Sequence, residues 1–194
     1  METYCDNRGN SLNINQTTIY HIYPLQIKTV IVYTYSADIL EFTENKYMKI
    51  LVTYGTLSGN TQVVAESIAQ YLSSKGPEVD LKNQEEIGPD YLLSYPFVII
   101  GGSTWDEGNS NPATTAFLEK VNGSQMDYSA VKFGVFGLGE TNYAHFCTVT
   151  DHISDAVKAK GGHIVGEPFK IDGYPDDTVL GNVHTWVDTV LAGA

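Results

Sequence analysis

Apolar and polar positions change along the chain in blocks that predict β-strands alternating with α-helices. Short apolar runs predict buried strands, and stretches in which apolar residues recur with the helical period predict helices between them. Five strands are expected, at residues 49–54, 79–81, 97–101, 132–137 and 164–171. Four helices are expected, at residues 61–75, 112–121, 146–160 and 183–191.

This alternation predicts an α/β fold in which one doubly wound parallel sheet is covered by helices on both faces. The run at 97–101 contains only apolar residues and glycine, as a strand buried on both faces requires. The fifth strand is expected to run unbroken across 164–171. In such a sheet, ligands bind beyond the carboxyl ends of the strands, near the point where the strand order reverses.

The first 47 residues differ in composition from the rest and are rich in Asn, Thr, Tyr and Ile. They lack the basic segment, apolar core and cleavage site that mark a signal peptide. We expect an N-terminal extension without a core of its own at 1–47, followed by one domain at 48–194. Two alternatives stay open: Met48 is the true start of the protein, or residues 29–35 add an edge strand to the sheet.

The amino-acid composition limits the classes of binding partner and the cellular compartment that suit this protein. The 194 residues suit one globular domain, with 42% apolar against 18% charged residues. A formal net charge of −12 disfavours nucleic acid and anionic membranes and favours a partner with a basic surface. Cys5 and Cys147 form no CxxC pair, and no apolar run reaches membrane-spanning length. The cysteine pattern fits a reducing compartment, so we expect a cytoplasmic protein. We also expect it to be a monomer.

One turn from a predicted strand into a predicted helix concentrates hydrogen-bonding side chains without a cation. It consists of Thr56, Leu57, Ser58, Gly59, Asn60 and Thr61. A helix N-terminus presents unpaired N–H groups and a positive dipole end, so an anion such as phosphate is the expected guest. The turn lacks the Lys of a Walker A loop, and Ser58 lies one position late for a nucleophile elbow. An ordinary capped helix start is the alternative.

Two further loops are expected at the same edge of the sheet, because they follow the third and fourth predicted strands. Residues 102–109 contain Trp105, and residues 137–143 contain Tyr143, each among glycines and polar residues. An aromatic side chain in such a loop has little core to fill, so the two rings are expected on the two faces of a planar ligand. A phosphate next to a sandwiched ring describes a mononucleotide-like cofactor.

Across residues 48–191 the chain resembles the flavodoxins. Residues 54–61 resemble their loop for the phosphate of FMN, residues 103–105 resemble their second loop, and residues 137–143, followed by 146–147, resemble their third. The uninterrupted fifth strand is similar to the short-chain branch of the family. The resemblance implies a five-stranded sheet in the order 2-1-3-4-5 that binds FMN non-covalently and carries single electrons.

The resemblance also implies a role for each matching position. The phosphate would be bound by Thr56, Ser58, Asn60 and Thr61, with Ser103 close by. The flavin ring would lie between Trp105 and Tyr143, and its polar edge would meet backbone groups near Thr104, Asp106, Gly139 and Cys147. The same loops add Leu57, Gly59, Gly137, Leu138 and Phe146 to the cofactor-binding set. No catalytic or metal-binding residue is expected, although calcium is an alternative to a solvated loop at Asp172, Asp176 and Asp177.

The expected function is low-potential electron transfer, in which the flavin supplies the chemistry. Asp106, Glu107 and Glu140 would place negative charge beside the reduced ring and disfavour that anion. Electrons would pass from a reductase to acceptor redox enzymes with basic docking surfaces. Three alternatives stay open: an FMN-dependent NAD(P)H:quinone oxidoreductase of the same fold, an FMN domain related to diflavin reductases, and a binding module that has lost FMN.

One position departs from the family pattern. A glycine commonly follows the second-loop aromatic, where this chain has Asp106. In the family that peptide turns over when the flavin is reduced and then needs a positive φ, which costs Asp more than glycine. We expect the neutral one-electron-reduced flavin to be less stabilised here than in a relative with glycine.

Overall fold

The computed structural model of the chain describes residues 4–5, 11–12, 48–142 and 144–194. It falls into two units, residues 1–35 and 36–194. In the first unit, Tyr4–Cys5 and Ser11–Leu12 form an antiparallel pair of short strands. The edge strand considered at 29–35 lies outside the described residues. The division of the chain at residue 47 stays a prediction.

The main sheet is parallel and doubly wound. Its strands are β1 (Lys49–Tyr54), β2 (Glu78–Asn83), β3 (Phe97–Trp105), β4 (Lys132–Gly139), β5 (His163–Ile164) and β6 (Phe169–Asp172). The order is β2-β1-β3-β4-β5, with β6 pairing to the later part of β4, and these pairings are all parallel. The predicted α/β fold with strand order 2-1-3-4-5 is confirmed. After β2 the chain crosses β1 to form β3, so the order reverses at β1 and β3.

The fifth position of the sheet is shared by two short strands, so the prediction of an unbroken strand at 164–171 is wrong. β5 pairs with the start of β4, and β6 pairs with its end. Between them, Gly166 has a left-handed φ of 66°. Pro168 has no N–H group to donate to a neighbouring strand. These two residues interrupt the strand.

The described residues form four α-helices: α1 (Asn60–Lys75), α2 (Pro112–Gly123), α3 (Val149–Ala159) and α4 (Asp177–Ala192). They also form short 3₁₀ helices at Gln84–Glu86, Pro89–Ser94 and Asp106–Gly108, and a short strand, Asn109–Ser110, antiparallel to the end of β3. None of the described helices has the length and apolar character needed to cross a membrane.

Two helices begin elsewhere than predicted. α3 begins at Val149 rather than Phe146, because the left-handed φ of 53° at Cys147 interrupts the helical backbone there. α4 begins before Val183, because the Asp176 carboxylate accepts a hydrogen bond from the Val179 N–H at 2.9 Å and caps an earlier first turn.

Neighbouring residues of the central strands enter two different cores, because successive side chains point to opposite faces of a sheet. Ile50 and Val52 pack with α1 and α4, whereas Leu51 packs with α2 and α3. All three residues are completely buried. Helices thus cover both faces of the sheet, which leaves its carboxyl edge accessible to a ligand.

Candidate functional site

A cavity of about 1030 Å³ lies at the carboxyl edge of the sheet and brings the three predicted loops together. Most of the predicted site residues line it: Ser58, Asn60, Thr61, Ser103, Thr104, Trp105, Asp106, Leu138 and Gly139. The other described residues of the predicted set lie outside the lining, namely Thr56, Leu57, Gly59, Gly137, Phe146 and Cys147. Tyr143 is outside the described residues, so its contact with a ligand ring stays a prediction.

Two lining residues, Glu107 and Glu140, were predicted as charges beside the ring but not as cofactor-binding residues. Other lining residues were not predicted at all: Gly108, Ala144, His145, Gly173 and Tyr174. Most of them belong to the second and third loops or directly continue them. Gly173 and Tyr174 form a fourth loop, which follows β6 at the same edge. The other three loops were predicted because each directly follows a strand of the parallel sheet. The fourth loop also directly follows a strand, so the same criterion would have identified it.

The first loop ends in an uncapped helix N-terminus. Gly59 has a left-handed φ of 90°, which glycine adopts at little cost. The Gly59 N–H donates to the Thr56 hydroxyl oxygen at 3.0 Å. Among the described residues, no side chain caps α1, so the N–H groups of its first turn stay available to an anion. The Thr56 hydroxyl still has its own proton to donate.

The second loop exposes an indole and then makes a left-handed turn. Trp105 is 40% exposed and lines the cavity. In the 3₁₀ helix that follows, φ is 42° at Glu107 and 95° at Gly108. Asp106, where a positive φ is expected on reduction of the cofactor, is not left-handed. In the second loop the strained non-glycine position is therefore Glu107, the residue after Asp106.

Hydrogen bonds fasten the second loop to the start of α3. The Thr148 hydroxyl donates to the Gly108 carbonyl at 2.6 Å, and the Val149 N–H donates to the Thr104 hydroxyl oxygen at 3.1 Å. Ser110 Oγ and His152 Nδ1 form a further hydrogen bond at 3.0 Å. The segment that carries Trp105 is therefore held from both sides by contacts with a second element.

Cys147 is a packing residue behind the third loop. It is completely buried, and its Sγ lies 3.4 Å from the Gly137 carbonyl oxygen and 3.5 Å from that of Ile171. Burial raises the pKa of the Cys147 thiol to about 11, so the thiol is neutral at physiological pH. A Cβ at Gly139 would press against the Cys147 backbone, so this close approach requires glycine.

The third loop is also tied to the fourth. The Thr141 N–H and hydroxyl donate to the Asp172 carboxylate at 2.9 and 2.6 Å, and these hydrogen bonds lower the pKa of Asp172. The Gly173 N–H donates to the Gly139 carbonyl at 2.8 Å. Calcium was considered at Asp172, Asp176 and Asp177. Two of these carboxylates have hydrogen-bond partners within the protein, because Asp172 accepts from Thr141 and Asp176 caps α4. Within the described part of the chain, no group of three or more metal-ligating side chains could hold a metal ion.

Charge is distributed unevenly around the cavity. The lining residues of the first loop carry only hydroxyl and amide side chains. The carboxylates come from the second and third loops, at Asp106, Glu107 and Glu140. None of the described residues that line the cavity is Lys or Arg. An anion at the first loop would therefore be held by neutral donors and the helix terminus.

Comparison with known proteins agrees with this arrangement. The family model described as Flavodoxin matches residues 52–186. A flavodoxin of Maridesulfovibrio salexigens is 32% identical over 129 residues, which cover 66% of this chain and 88% of that protein. A probable flavodoxin 2 of Bacillus subtilis is 35% identical over 129 residues, with 66% and 84% covered. The crystal structure of oxidised Flavodoxin 2 from Bacillus cereus matches with a TM-score of 0.71 and 28% identity, covering 75% of this chain and 99% of that one. The resemblance predicted from the three loops is confirmed: the chain belongs to the flavodoxin family.

Proposed function

We propose that this flavodoxin holds FMN non-covalently in the cavity and carries single electrons between a reductase and acceptor redox enzymes. The observation that carries the proposal is one cavity of about 1030 Å³ that joins an uncapped helix N-terminus to an exposed indole. Its volume is at the upper end of the range of about 300–1,000 Å³ that is usual for small-molecule sites. Membership of the flavodoxin family is the independent support.

The first loop suits the phosphate of FMN. Ser58, Asn60 and Thr61 supply side-chain donors at the cavity wall, and the first turn of α1 supplies backbone N–H groups. A hydrogen bond to a charged group contributes about 1.5–3 kcal/mol, so a handful of them would hold the phosphate without Lys or Arg. Thr56 and Ser103 complete the proposed phosphate-binding set.

The opposite end of the cavity suits the flavin ring. Trp105 offers one flat face, and Tyr143 is the proposed second face. Backbone groups near Thr104, Asp106 and Gly139 lie in the lining, where they can meet the polar edge of the ring. When bound, FMN supplies the one-electron redox chemistry, and the protein supplies orientation and electrostatics.

The carboxylates near the proposed position of the flavin ring, which we call the ring end of the cavity, support a low redox potential. Added electrons make the cofactor more negative, and Asp106, Glu107 and Glu140 oppose that charge. Each ~1.4 kcal/mol of such opposition lowers a one-electron potential by about 59 mV. The same carboxylates favour weak, transient docking to partners with basic surfaces. We also propose that the protein acts as a cytoplasmic monomer.

The division of the chain belongs to the same proposal. Every described residue that lines the cavity lies between Ser58 and Tyr174. This supports residues 48–194 as the FMN-binding domain and residues 1–47 as an extension outside it.

Cofactor content and turnover of the purified full chain test the proposal. We expect flavin absorbance bands at close to one FMN per chain. The protein should pass electrons from an NADPH-dependent flavodoxin reductase to cytochrome c. We expect no sustained oxidation of NADH or NADPH with a quinone when that reductase is omitted. A chain that binds no FMN would refute the proposal, and quinone reduction without the reductase would identify an enzyme instead of a carrier.

A further inference from the structure

Asn111 lies in a buried polar cluster behind the first and second loops. It is completely buried and precedes the first residue of α2. Its Oδ1 accepts a hydrogen bond from the Thr114 N–H at 3.0 Å, which caps the helix. Thr114 and Gln84 are also completely buried, and Gln84 Nε2 donates to the Gly101 carbonyl at 2.9 Å. The middle of β3, at Gly101, thus contacts a set of completely buried polar side chains.

The amide nitrogen of Asn111 joins the two loops. Nδ2 lies 3.0 Å from the Gly55 carbonyl oxygen and 3.2 Å from Ser103 Oγ, and it also lies 3.0 Å from Thr114 Oγ1. The Asn111 N–H donates to the Ser103 carbonyl at 2.9 Å. Gly55 is the residue before Thr56 in the first loop, and Ser103 opens the second loop. One side chain therefore fixes the start of the first loop relative to a cavity-lining hydroxyl of the second.

Helix capping alone does not require this residue type. Ser and Thr also supply the oxygen that caps a helix, but neither carries an amide nitrogen. The side-chain amide of Asn111 donates the hydrogen bonds to Gly55 and Ser103. In a buried environment a hydrogen bond is strong and a lost partner is costly, so these contacts hold the two loops in one arrangement.

We propose that Asn111 is a positioning residue for the phosphate end of the cofactor site, so that it sets the preference of the protein for a phosphorylated flavin. This inference rests on the proposed binding of FMN. Asn111 does not line the cavity and acts through Gly55 and Ser103. Ligand donors that are held in place before binding cost less to order when the ligand arrives.

The test compares FMN with riboflavin, which has the same ring system and no phosphate. Dissociation constants for both ligands are measured on the full-chain apoprotein with Asn111→Ser and Asn111→Thr, which keep a neutral helix cap. Asn83→Ser is the matched control, because Asn83 caps the 3₁₀ helix Gln84–Glu86 by accepting from the Glu85 N–H. We expect FMN binding to weaken at least about tenfold in the Asn111 variants, or about 1.4 kcal/mol, and riboflavin binding to change less than about threefold. Both constants should be unchanged in the control.

Three outcomes would overturn the inference: unchanged FMN affinity, equal weakening of both ligands, or the same selective loss in the control. Asn111→Asp keeps the size of the side chain and its cap, so it serves if the neutral variants do not fold. Asn111→Asp with an unchanged ratio of FMN to riboflavin affinity would also refute the role. If the natural chain binds neither FMN nor riboflavin, the proposed function is refuted. If the natural chain binds FMN and the Asn111 variants bind it with the same affinity, only the inference about Asn111 is refuted.

Discussion

The two ends of the cavity are built in opposite ways. Behind the phosphate end, Gln84, Asn111 and Thr114 are completely buried and hydrogen-bonded, and the lining carries no charge. At the ring end, Trp105 is 40% exposed, and the lining carries three carboxylates. A fixed, neutral end suits retention of the cofactor. An acidic end with an exposed indole suits electron exchange and control of the redox potential.

Backbone strain follows the same division. At the phosphate end the left-handed position is Gly59, where it costs little. Among the described residues, the non-glycine positions with positive φ are Glu107, which lines the cavity in the second loop, and Cys147, which is buried behind the third loop. Such conformations persist only where the surroundings enforce them, as the hydrogen bond from Thr148 to Gly108 does here. The second loop therefore combines backbone strain at Glu107 with an exposed indole at Trp105.

Gly55→Ala should disrupt the packing behind the phosphate end, and we expect it to have the largest effect of the four substitutions considered. A Cβ at Gly55 would collide with Thr114 Oγ1 and Gln84 Oε1, both within the buried cluster. We expect a loss of about 3 kcal/mol in the free energy of unfolding of the apoprotein, measured with urea, because forced overpacking costs roughly 1–3 kcal/mol. Gly181→Ala is the control, since a Cβ there meets nothing within 4 Å on α4 and should stabilise the protein by about 0.5–1 kcal/mol. Equal stability of the two variants would contradict the close packing of Gly55 against Thr114 and Gln84.

Trp105→Ala should damage the ring end without unfolding the protein. The loss of one stacking face costs about 1–3 kcal/mol in comparable ring-stacking sites, so FMN affinity should fall roughly tenfold to hundredfold. FMN and riboflavin should weaken by the same factor, in contrast to the phosphate-selective loss expected for Asn111 variants. Trp105→Phe keeps an aromatic face and should recover most of the affinity. A phosphate-selective loss in Trp105→Ala would show that the two ends are not separate.

The local pattern along the chain was enough to predict a parallel sheet and three of its loops, because strand and helix periodicity determine which segments end at one edge. The order of the strands came from the resemblance to the flavodoxins. The same information contained Gly166 and Pro168, which break the fifth strand, and their effect was missed. Tyr174 was missed because the loop after the fifth predicted strand was not among the predicted cofactor loops.

Other features of the site depend on contacts between distant segments. The amide of Asn111 forms a hydrogen bond with Gly55, which is 56 positions away in the sequence. No rule of sequence spacing predicts a contact between two residues so far apart. The left-handed Glu107 depends on a turn that Thr148 holds from another element. Such details become visible only when packing brings the partners together, whereas the loops that carry them follow from periodicity.

Asp106→Gly should alter the ring end alone. Glycine removes the cost of a positive φ at this position, about 1 kcal/mol or more for a residue with a Cβ. We expect a larger share of neutral one-electron-reduced flavin during photoreduction, followed by visible absorbance, with the two one-electron potentials separated by roughly 40 mV more. Asp106→Asn removes the charge and keeps the Cβ, so it should give much less of this change. If the glycine variant accumulates no more of that state than the natural chain, the backbone argument is wrong.

Glu140→Gln should have the smallest effect and tests the charge of the ring end directly. Glu140 is exposed and lines the cavity, and exposed charges interact by less than about 1 kcal/mol, so the potential for full reduction should rise by no more than roughly 40 mV. The rise should shrink as ionic strength increases, because salt screens exposed charges. Glu119→Gln on α2 changes the net charge equally and lies outside the cavity lining, so it should leave the potential almost unchanged. An equal shift in both variants would mean that total charge, rather than the acidic ring end, sets the potential.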